Sequence, residues 1–303
     1  MVKYRVAILG ASGIGNFHAR DFKKVGCDVC AILGSTEESS LKTAAVLRKK
    51  FDIDAQPYHD LEKLLKKELD AVAVCTPPSL HYSQVKRCLE EGLHVLCEKP
   101  FVLNTEYQGL KMAEELMALA GQKKKILSVN TQWSYVLSSI KDIVGEGRVH
   151  DFSMIMEPGV QGVHLLTDSV PHMNSLLVRI IPRGNAREIE FLLLKENEVK
   201  INFLYSNLDT ECNVTYHMKF KQDKPRHVEF SLNNHSFSRI ILPNYDQELV
   251  YENIVIPICD PFTESIREFV SSLENNYSSL KIHQEILENV KLQDALIKKY
   301  LLM

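Results

Sequence analysis

The 303-residue sequence is short of the features that mark several whole classes of protein. It carries no excess of one charge: 36 Lys and Arg stand against 39 Asp and Glu, a formal net charge of -3 with a pI near 6.4. A polyanionic partner such as nucleic acid, or an anionic membrane surface, normally demands a basic excess, so neither is expected. No segment approaches the roughly 18 apolar residues needed to span a bilayer. The apolar start of "MVKYRVAILG" is too short for a signal-peptide core and runs at once into a glycine loop. The seven cysteines are odd in number and scattered, which makes no disulfide framework, and a reducing, cytoplasmic setting is expected. Cys27 and Cys30 form a C-x-x-C, but no second Cys or Cys/His pair lies at zinc spacing; packing within the strand "DVCAIL" is the reading. The eleven histidines contain no H-x-x-x-H or H-E-x-x-H, which leaves a metal-dependent hydrolase without support and no metal expected. Internal repeats, low-complexity tracts and a Pro/Gly-rich linker are also absent from the pattern.

What is present is ordinary globular composition, 45% hydrophobic and 25% charged, in a chain long enough for two domains. The first 130 residues alternate short apolar runs with amphipathic ones. "YRVAIL", "DVCAIL", "DAVAVC", "HVLC" and "ILSV" are expected as strands apolar on both faces, with a weak one near "IDAQPY". Helices are expected at 13–25, 38–50, 60–67, 79–91 and 104–120, with Asp60, Ser79 and Asn104 as caps. Such alternation gives parallel strands joined by crossover helices, hence an open doubly wound sheet.

After residue 130 the pattern changes. A helix at 134–146, a strand at 149–157 and a helix through "LLTDSVPHMNSLLVRI" precede a run of longer strand candidates ending with "ELVYENIVI". The turn-like pieces "ENE", "KQDKP" and "NNH" divide them, as in an antiparallel sheet. Helices at about 261–274 and 281–300 close the chain. The expected fold class is therefore α/β throughout, with residues 1–130 as one domain and 131–303 as a second, α/β domain built on a large, mostly antiparallel open sheet.

The first strand runs into "GASGIG", where Gly10, Gly13 and Gly15, with Ser12 and Ile14 between them, open a helix. Glycines there let backbone N–H groups approach a pyrophosphate at the positive end of a helix, so the loop points to a dinucleotide. The acid that would hold a ribose 2′-hydroxyl at the end of the second strand is missing. The chain has Gly34-Ser35-Thr36 instead, and small hydroxyl residues suit a 2′-phosphate, so NADP is favoured over NAD while both stay open.

Three blocks carry a resemblance: "VAILGASGIGNFHARDF", "DAVAVCTPPSLHYSQVKRCLEEGLHVLCEKPF" and "LLTDSVPHMNSLL". They resemble the Gfo/Idh/MocA oxidoreductases, named for glucose-fructose oxidoreductase and inositol dehydrogenase. The resemblance implies a Rossmann domain followed by an α/β domain whose open sheet forms a homodimer or homotetramer. It also implies hydride transfer between NAD(P) and a sugar, cyclitol or related polyol. Carried onto this sequence, the cofactor-binding positions are those of the glycine loop, Gly34 to Thr36, Thr76, Pro77, Pro78, His81, Glu98 and Lys99. The catalytic positions are Lys99 of "EKP" together with Asp168 and His172, and a cis peptide before Pro100 is implied as well.

The spacing makes independent sense, since residues four apart share one helix face. Pro171 between Asp168 and His172 suits a first helical turn better than an interior, so the pair is expected at a helix start. His172 would take the hydroxyl proton, Lys99 would stabilise the developing alkoxide and join the proton relay, and Asp168 would orient imidazole or substrate. Alternation along a strand turns Glu98 and Lys99 to different sides, so they need not be partners. The sequence departs from the family pattern at Gly162-Val163-His164, at Val170, at Ser175 and in "VNTQWSY". These departures make Gln132, Trp133 and His164 the candidate substrate-pocket residues. Trp133 as core and His164 as a surface residue are the competing readings. A catalytically silent NAD(P)-binding regulator or scaffold of the same fold is the alternative function.

Overall fold

The computed structural model describes residues 4–103, 108–242, 247–275 and 280–303. They divide into two compact units: residues 4–103 with 111–130, 265–275 and 280–286, and residues 108–110 with 131–242, 247–264 and 287–303. The division follows packing rather than a single cut. Phe269, near the chain's end, meets Phe22 edge-on at 6.1 Å in the first unit.

In the first unit the elements are β1 (Arg5–Leu9), α1 (Ile14–Lys24), β2 (Asp28–Leu33), α2 (Glu37–Phe51), β3 (Gln56–Tyr58), α3 (Leu61–Leu65), β4 (Ala71–Val74), α4 (His81–Glu90), β5 (His94–Glu98), α5 (Gly109–Lys123) and β6 (Leu127–Asn130). The six strands are parallel in the order β3-β2-β1-β4-β5-β6. This is the doubly wound nucleotide-binding order, whose ligands lie beyond the carboxyl ends of the strands. Val6 to Leu9 and Ala71 to Val74 are wholly buried, which is why their sequences are apolar without alternation. The weak strand near "IDAQPY" is the three-residue edge strand β3.

Two of the expected caps can be placed. Asp60 accepts from the Lys63 amide at 3.2 Å and opens α3. Ser79 does not cap α4: a 3-10 turn over Pro78–Leu80 leads into the helix and leaves Leu80 at the cap position, so the turn replaces the side-chain bond. Asn104 lies outside the described residues.

The second unit contains α6 (Leu137–Val144), β7 (Asp151–Met156), α7 (His164–Ile180) and the strands β8 (Asn185–Lys195), β9 (Glu198–Ser206), β10 (Glu211–Lys219), β11 (Val228–Leu232), β12 (His235–Ile241), β13 (Gln247–Tyr251) and β14 (Ile254–Pro257). The helices α8 (Pro261–Glu274) and α9 (Leu280–Leu301) follow. The sheet order is β14-β13-β12-β11-β7-β10-β9-β8; only the β7–β10 pairing is parallel. "ELVYENIVI" is not one strand but the hairpin β13–β14, because Glu252 takes a φ of +51° and turns the chain. Buried and half-buried residues alternate strictly along β9, so Val199, Ile201, Phe203 and Tyr205 enter the core.

Pro171 is not at a helix start. It lies in the middle of α7, eight residues in, where a proline removes a helix hydrogen bond and costs about 3 kcal/mol. Burial overrides that cost: every residue from Ser169 to Val178 is buried, so the helix is held by packing on all sides rather than by propensity. Asn289 supports it by donating to the Pro171 carbonyl at 2.8 Å.

Candidate functional site

Around the glycine loop the backbone itself is the fitted part. Gly10 has a φ of +79°, and a Cβ there would lie 2.7 Å from the Cys75 carbonyl oxygen; one on Gly15 would lie 2.3 Å from the Gly10 carbonyl oxygen. Gly13, at φ +58°, meets nothing within 4 Å and faces open space. The first and third glycines therefore press β1, α1 and the end of β4 together, while the second keeps the helix mouth clear. No side chain caps α1, and no acid stands in its first turn. Ser12 and Gly13 are exposed, and so is Ile14. A helix start with a clear mouth, no cap and no acid fits a pyrophosphate.

At the end of β2, Thr36 is committed to its own helix. Its hydroxyl accepts from the Ser39 amide at 3.1 Å, and its amide donates to Ser39 Oγ at 3.0 Å, a complete capping box. Gly34 is required because a Cβ would sit 2.8 Å from Ser39 Oγ. Ser35 is exposed, with its Oγ 3.4 Å from Ser39 Oγ.

The ends of β4 and β5 are joined by one imidazole. His81, wholly buried, places Nε2 2.8 Å from the Thr76 carbonyl oxygen and Nδ1 2.8 Å from the Pro100 carbonyl oxygen. It therefore holds the backbone around Thr76-Pro77-Pro78 and after Lys99 rather than presenting itself to a ligand. Thr76 Oγ1 donates to Gln84 Oε1 at 2.6 Å. The Lys99–Pro100 peptide is cis.

Glu98 turns inward, where His18 Nε2 and Asn130 Nδ2 both donate to its Oε1 at 2.7 Å. Burial alone would raise its pKa, but these hydrogen bonds and the charges of His18 and Lys99 outweigh it and hold the carboxyl below its usual range. Lys99, next in the chain, is half-buried. Glu98 is thus an internal anchor tying β5 to α1 and β6. Burial pushes the flanking Cys75 and Cys97 thiols far up, with the Glu98 charge adding, so neither is a thiolate nucleophile.

In the second unit, His172 is buried on α7 and its Nδ1–H donates to the Thr131 carbonyl at 2.8 Å. A carbonyl only accepts, so the neutral ring keeps its lone pair on Nε2, the form a general base needs. Ser175, one turn on, donates to the His172 carbonyl at 2.7 Å, and the Trp133 amide shares the Thr131 carbonyl at 2.8 Å. Asp168 is half-buried one turn before His172 on the same helix. Trp133 is 3% exposed and belongs to the core, edge-on to Phe230 at 6.4 Å. Gln132 beside it is half-buried at φ +63°, and His164 is exposed as the first residue of α7.

Sequence reasoning missed His18, Asn130 and Arg239. His18 could have been found: it interrupts the apolar stripe Gly15, Ala19, Phe22 on the buried face of α1. Arg239 carries a similar signal, falling in phase with the inward Phe237 on β12. Asn130 carries no local signal beyond ending an apolar strand.

Residues 4–131 match the model of an oxidoreductase family, the NAD-binding Rossmann fold of GFO_IDH_MocA proteins. The UDP-N-acetylglucosamine 3-dehydrogenase of Acidithiobacillus ferrooxidans is 28% identical over 129 residues, 43% of this chain and 37% of that protein. The scyllo-inositol 2-dehydrogenase (NADP(+)) IolW of Bacillus subtilis is 31% identical over 126 residues, 40% of this chain and 34% of that protein. The matched stretch spans just over a third of the length of these curated relatives. Among solved structures, the A. ferrooxidans enzyme superposes with a TM-score of 0.73 at 16% identity over 98% of this chain and 100% of that one. KijD10, a 3-ketoreductase from Actinomadura kijaniata solved with NADP, gives 0.73 at 19% identity over 97% of each. At such identities the likeness shows the fold.

Proposed function

We propose that the chain, whose residues 4–131 match the Gfo/Idh/MocA oxidoreductase family model, transfers hydride between NAD(P) and a secondary alcohol or carbonyl of a sugar, cyclitol or related polyol. One observation carries this reading. At the carboxyl ends of the parallel strands, β1 runs into an uncapped glycine cradle and β5 ends at a glutamate engaged internally, with Lys99 directly after it.

Gly10, Ser12, Gly13, Ile14 and Gly15 would hold the pyrophosphate, Gly34 to Thr36 the adenosine ribose, and the loops at Thr76 and Lys99 the nicotinamide half. The bound nicotinamide supplies the hydride acceptor or donor. In oxidation, His172 takes the hydroxyl proton on Nε2 while Thr131 fixes the ring, and the Lys99 ammonium stabilises the oxygen as negative charge develops. Asp168 orients the imidazole or a substrate hydroxyl. Run in reverse, the same groups protonate the alcohol formed from a ketone.

NADP is proposed ahead of NAD. No carboxylate follows β2 at the place where a ribose diol would be bound, and one of the inositol dehydrogenase relatives, IolW, is named for NADP(+). A homodimer or homotetramer formed on the second unit's sheet belongs to the same proposal, supported by exposed Leu192, Ile240 and Val255; light scattering tests it. The decisive experiment is fluorescence titration with NADH and NADPH, followed by absorbance at 340 nm against a panel of polyols, sugars and their ketones. Binding of NADPH with turnover is expected. Cofactor binding without turnover on any member would favour the silent regulator, and absence of cofactor binding would end the reading.

A further inference from the structure

Arg239 is a half-buried cation with no carboxylate partner among the described residues. It stands on β12 opposite Leu249 of β13, on the inward face with Phe237. Its Nη2 donates to the Arg226 carbonyl at 2.7 Å, and its guanidinium carbon lies 5.4 Å from the centre of the Trp133 ring. Nε is buried without a hydrogen-bond partner. Among the described residues no carboxylate pairs with the group. Burial alone lowers its pKa, to about 10, with no charged neighbour acting in either direction, so it stays cationic near neutral pH.

Of the acids on or beside the neighbouring strands, Glu248 of β13 stands opposite Ile240 rather than Arg239, and Glu229 and Glu157 have other partners. Glu229, on the neighbouring strand β11, accepts from Ser236 at 3.3 Å and Ser238 at 2.8 Å and pairs with His227 at 3.4 Å. Glu157 pairs with Lys221 at 2.9 Å and accepts from the His227 amide at 3.0 Å. Desolvating a guanidinium without a counter-ion is unfavourable, and an apolar side chain would cover the Trp133 ring without that cost. One carbonyl and one aromatic face fix the direction of the fork while leaving its charge uncompensated. The same Trp133 follows Thr131 by two residues, and the Thr131 carbonyl holds both the Trp133 amide and His172. Arg239 is thereby linked, through one indole, to the support of the histidine.

We propose that Arg239 is a recognition group for an anionic substituent, a carboxylate or a phosphate ester, on the substrate. Arginine matches both oxyanions through its planar fork, and the anion would supply the charge that the fold omits. This rests on the oxidoreductase reading and narrows it: the preferred substrates are acidic or phosphorylated sugars or polyols rather than neutral ones.

The test is isothermal titration of the NADPH-saturated full chain with D-glucuronate, glucose 6-phosphate and D-glucose, for the wild type, Arg239→Gln and Arg239→Lys. Binding of at least one anionic sugar at least about tenfold tighter than glucose is expected. Arg239→Gln should erase that preference, and Arg239→Lys should keep only part of it; the arm that responds identifies carboxylate or phosphate. Equal binding of all three by the wild type overturns the proposal, and so does a preference that survives in Arg239→Gln. Thermal melting and NADPH titration check that the variants are folded, and Arg239→Lys decides should the glutamine variant fail. Arg239-dependent anion binding without hydride transfer on any substrate would sink the oxidoreductase reading alone. Turnover of neutral polyols with unchanged kcat/KM in Arg239→Gln, and no anion preference, would sink the anion proposal alone.

Discussion

The two units treat buried charge in opposite ways. In the first, the Glu98 carboxylate is met inside the protein by His18 and Asn130, and the group that remains half-exposed beside it is Lys99. In the second, His172 is held by a backbone carbonyl and half-buried Arg239 by another carbonyl and an indole, with no carboxylate on the guanidinium among the described residues. A charge satisfied internally positions its neighbours; a charge fixed in direction but unsatisfied keeps its interaction for something that arrives. Under the proposed function Glu98 is therefore a positioning group, Lys99 and His172 are the proposed proton-handling groups, and Arg239 is the proposed anion receptor.

The sharpest way to break that assignment is at adjacent residues. Lys99→Met should lower turnover by about 10³-fold or more, since under the proposed function it removes both the charge that meets the oxygen and a proton-relay member. Cofactor affinity by fluorescence should stay within a few fold. Undiminished turnover would return Lys99 to the status of a solvated strand end. His172→Ala should follow, with a loss on the order of 10²-fold in kcat measured on the folded fraction, beyond the fall in melting temperature that truncating a buried side chain brings. A large fall in stability with kcat preserved in the surviving fraction would make His172 structural.

Glu98 should behave in the reverse sense. Glu98→Ala removes the buried carboxylate from His18 and Asn130 and should cost about 3 kcal/mol in urea unfolding, while Glu98→Gln keeps the shape and loses the charge. The folded carboxyl titrates below its usual range, and the unfolded one near pH ~4.3. As pH falls the unfolded chain takes the proton first, so the stabilisation is complete above that value and is lost as pH drops through the folded pKa. Glu98→Gln should remove this acid-side decline. An unaltered decline would mean that the buried anion does not stabilise the fold.

The unequal legibility of the two units has the same physical origin. The glycine loop, Thr76-Pro77-Pro78 and Glu98-Lys99-Pro100 each stand where a buried parallel strand ends, and strand ends are marked locally by the loss of apolar residues. The strand order and the cis peptide before Pro100 agree with what those patterns imply. In the second unit the text offered one D-x-x-x-H. The partners of its helix come from Thr131 and Asn289, and Arg239 is a third distant position, a scatter that no local period reveals. Pro171 led to a wrong helix start because local backbone chemistry argued for a first turn, and tertiary burial of the whole helix outweighed it. Trp133 was legible as an aromatic but not as the floor under a cation. His18 was legible in principle, as a polar residue on an apolar stripe.

The smallest predicted effect separates position on a strand from charge state, using the two ends of β5. His94, at its first residue, accepts from the Ile126 amide through Nδ1 at 2.9 Å, and burial followed by the Lys125 charge lowers its pKa from 6.5 to about 4. Below pH 6.5 the unfolded ring binds a proton that the folded ring refuses, so stability falls as pH drops from 6.5 towards 4 and this contribution levels off beneath. His283, also lowered by burial, acts in the same sense, so His94→Gln should flatten part of that slope and not all of it. Half-burial of His94 keeps the effect modest. Urea midpoints across this range for the wild type, His94→Gln and Glu98→Gln should therefore resolve two windows: an upper one that responds to His94 and a lower one that responds to Glu98. A single window answering to both variants would mean that the two ends of the strand titrate as one network, and Glu98 would then have no separate hold on the lysine beside it.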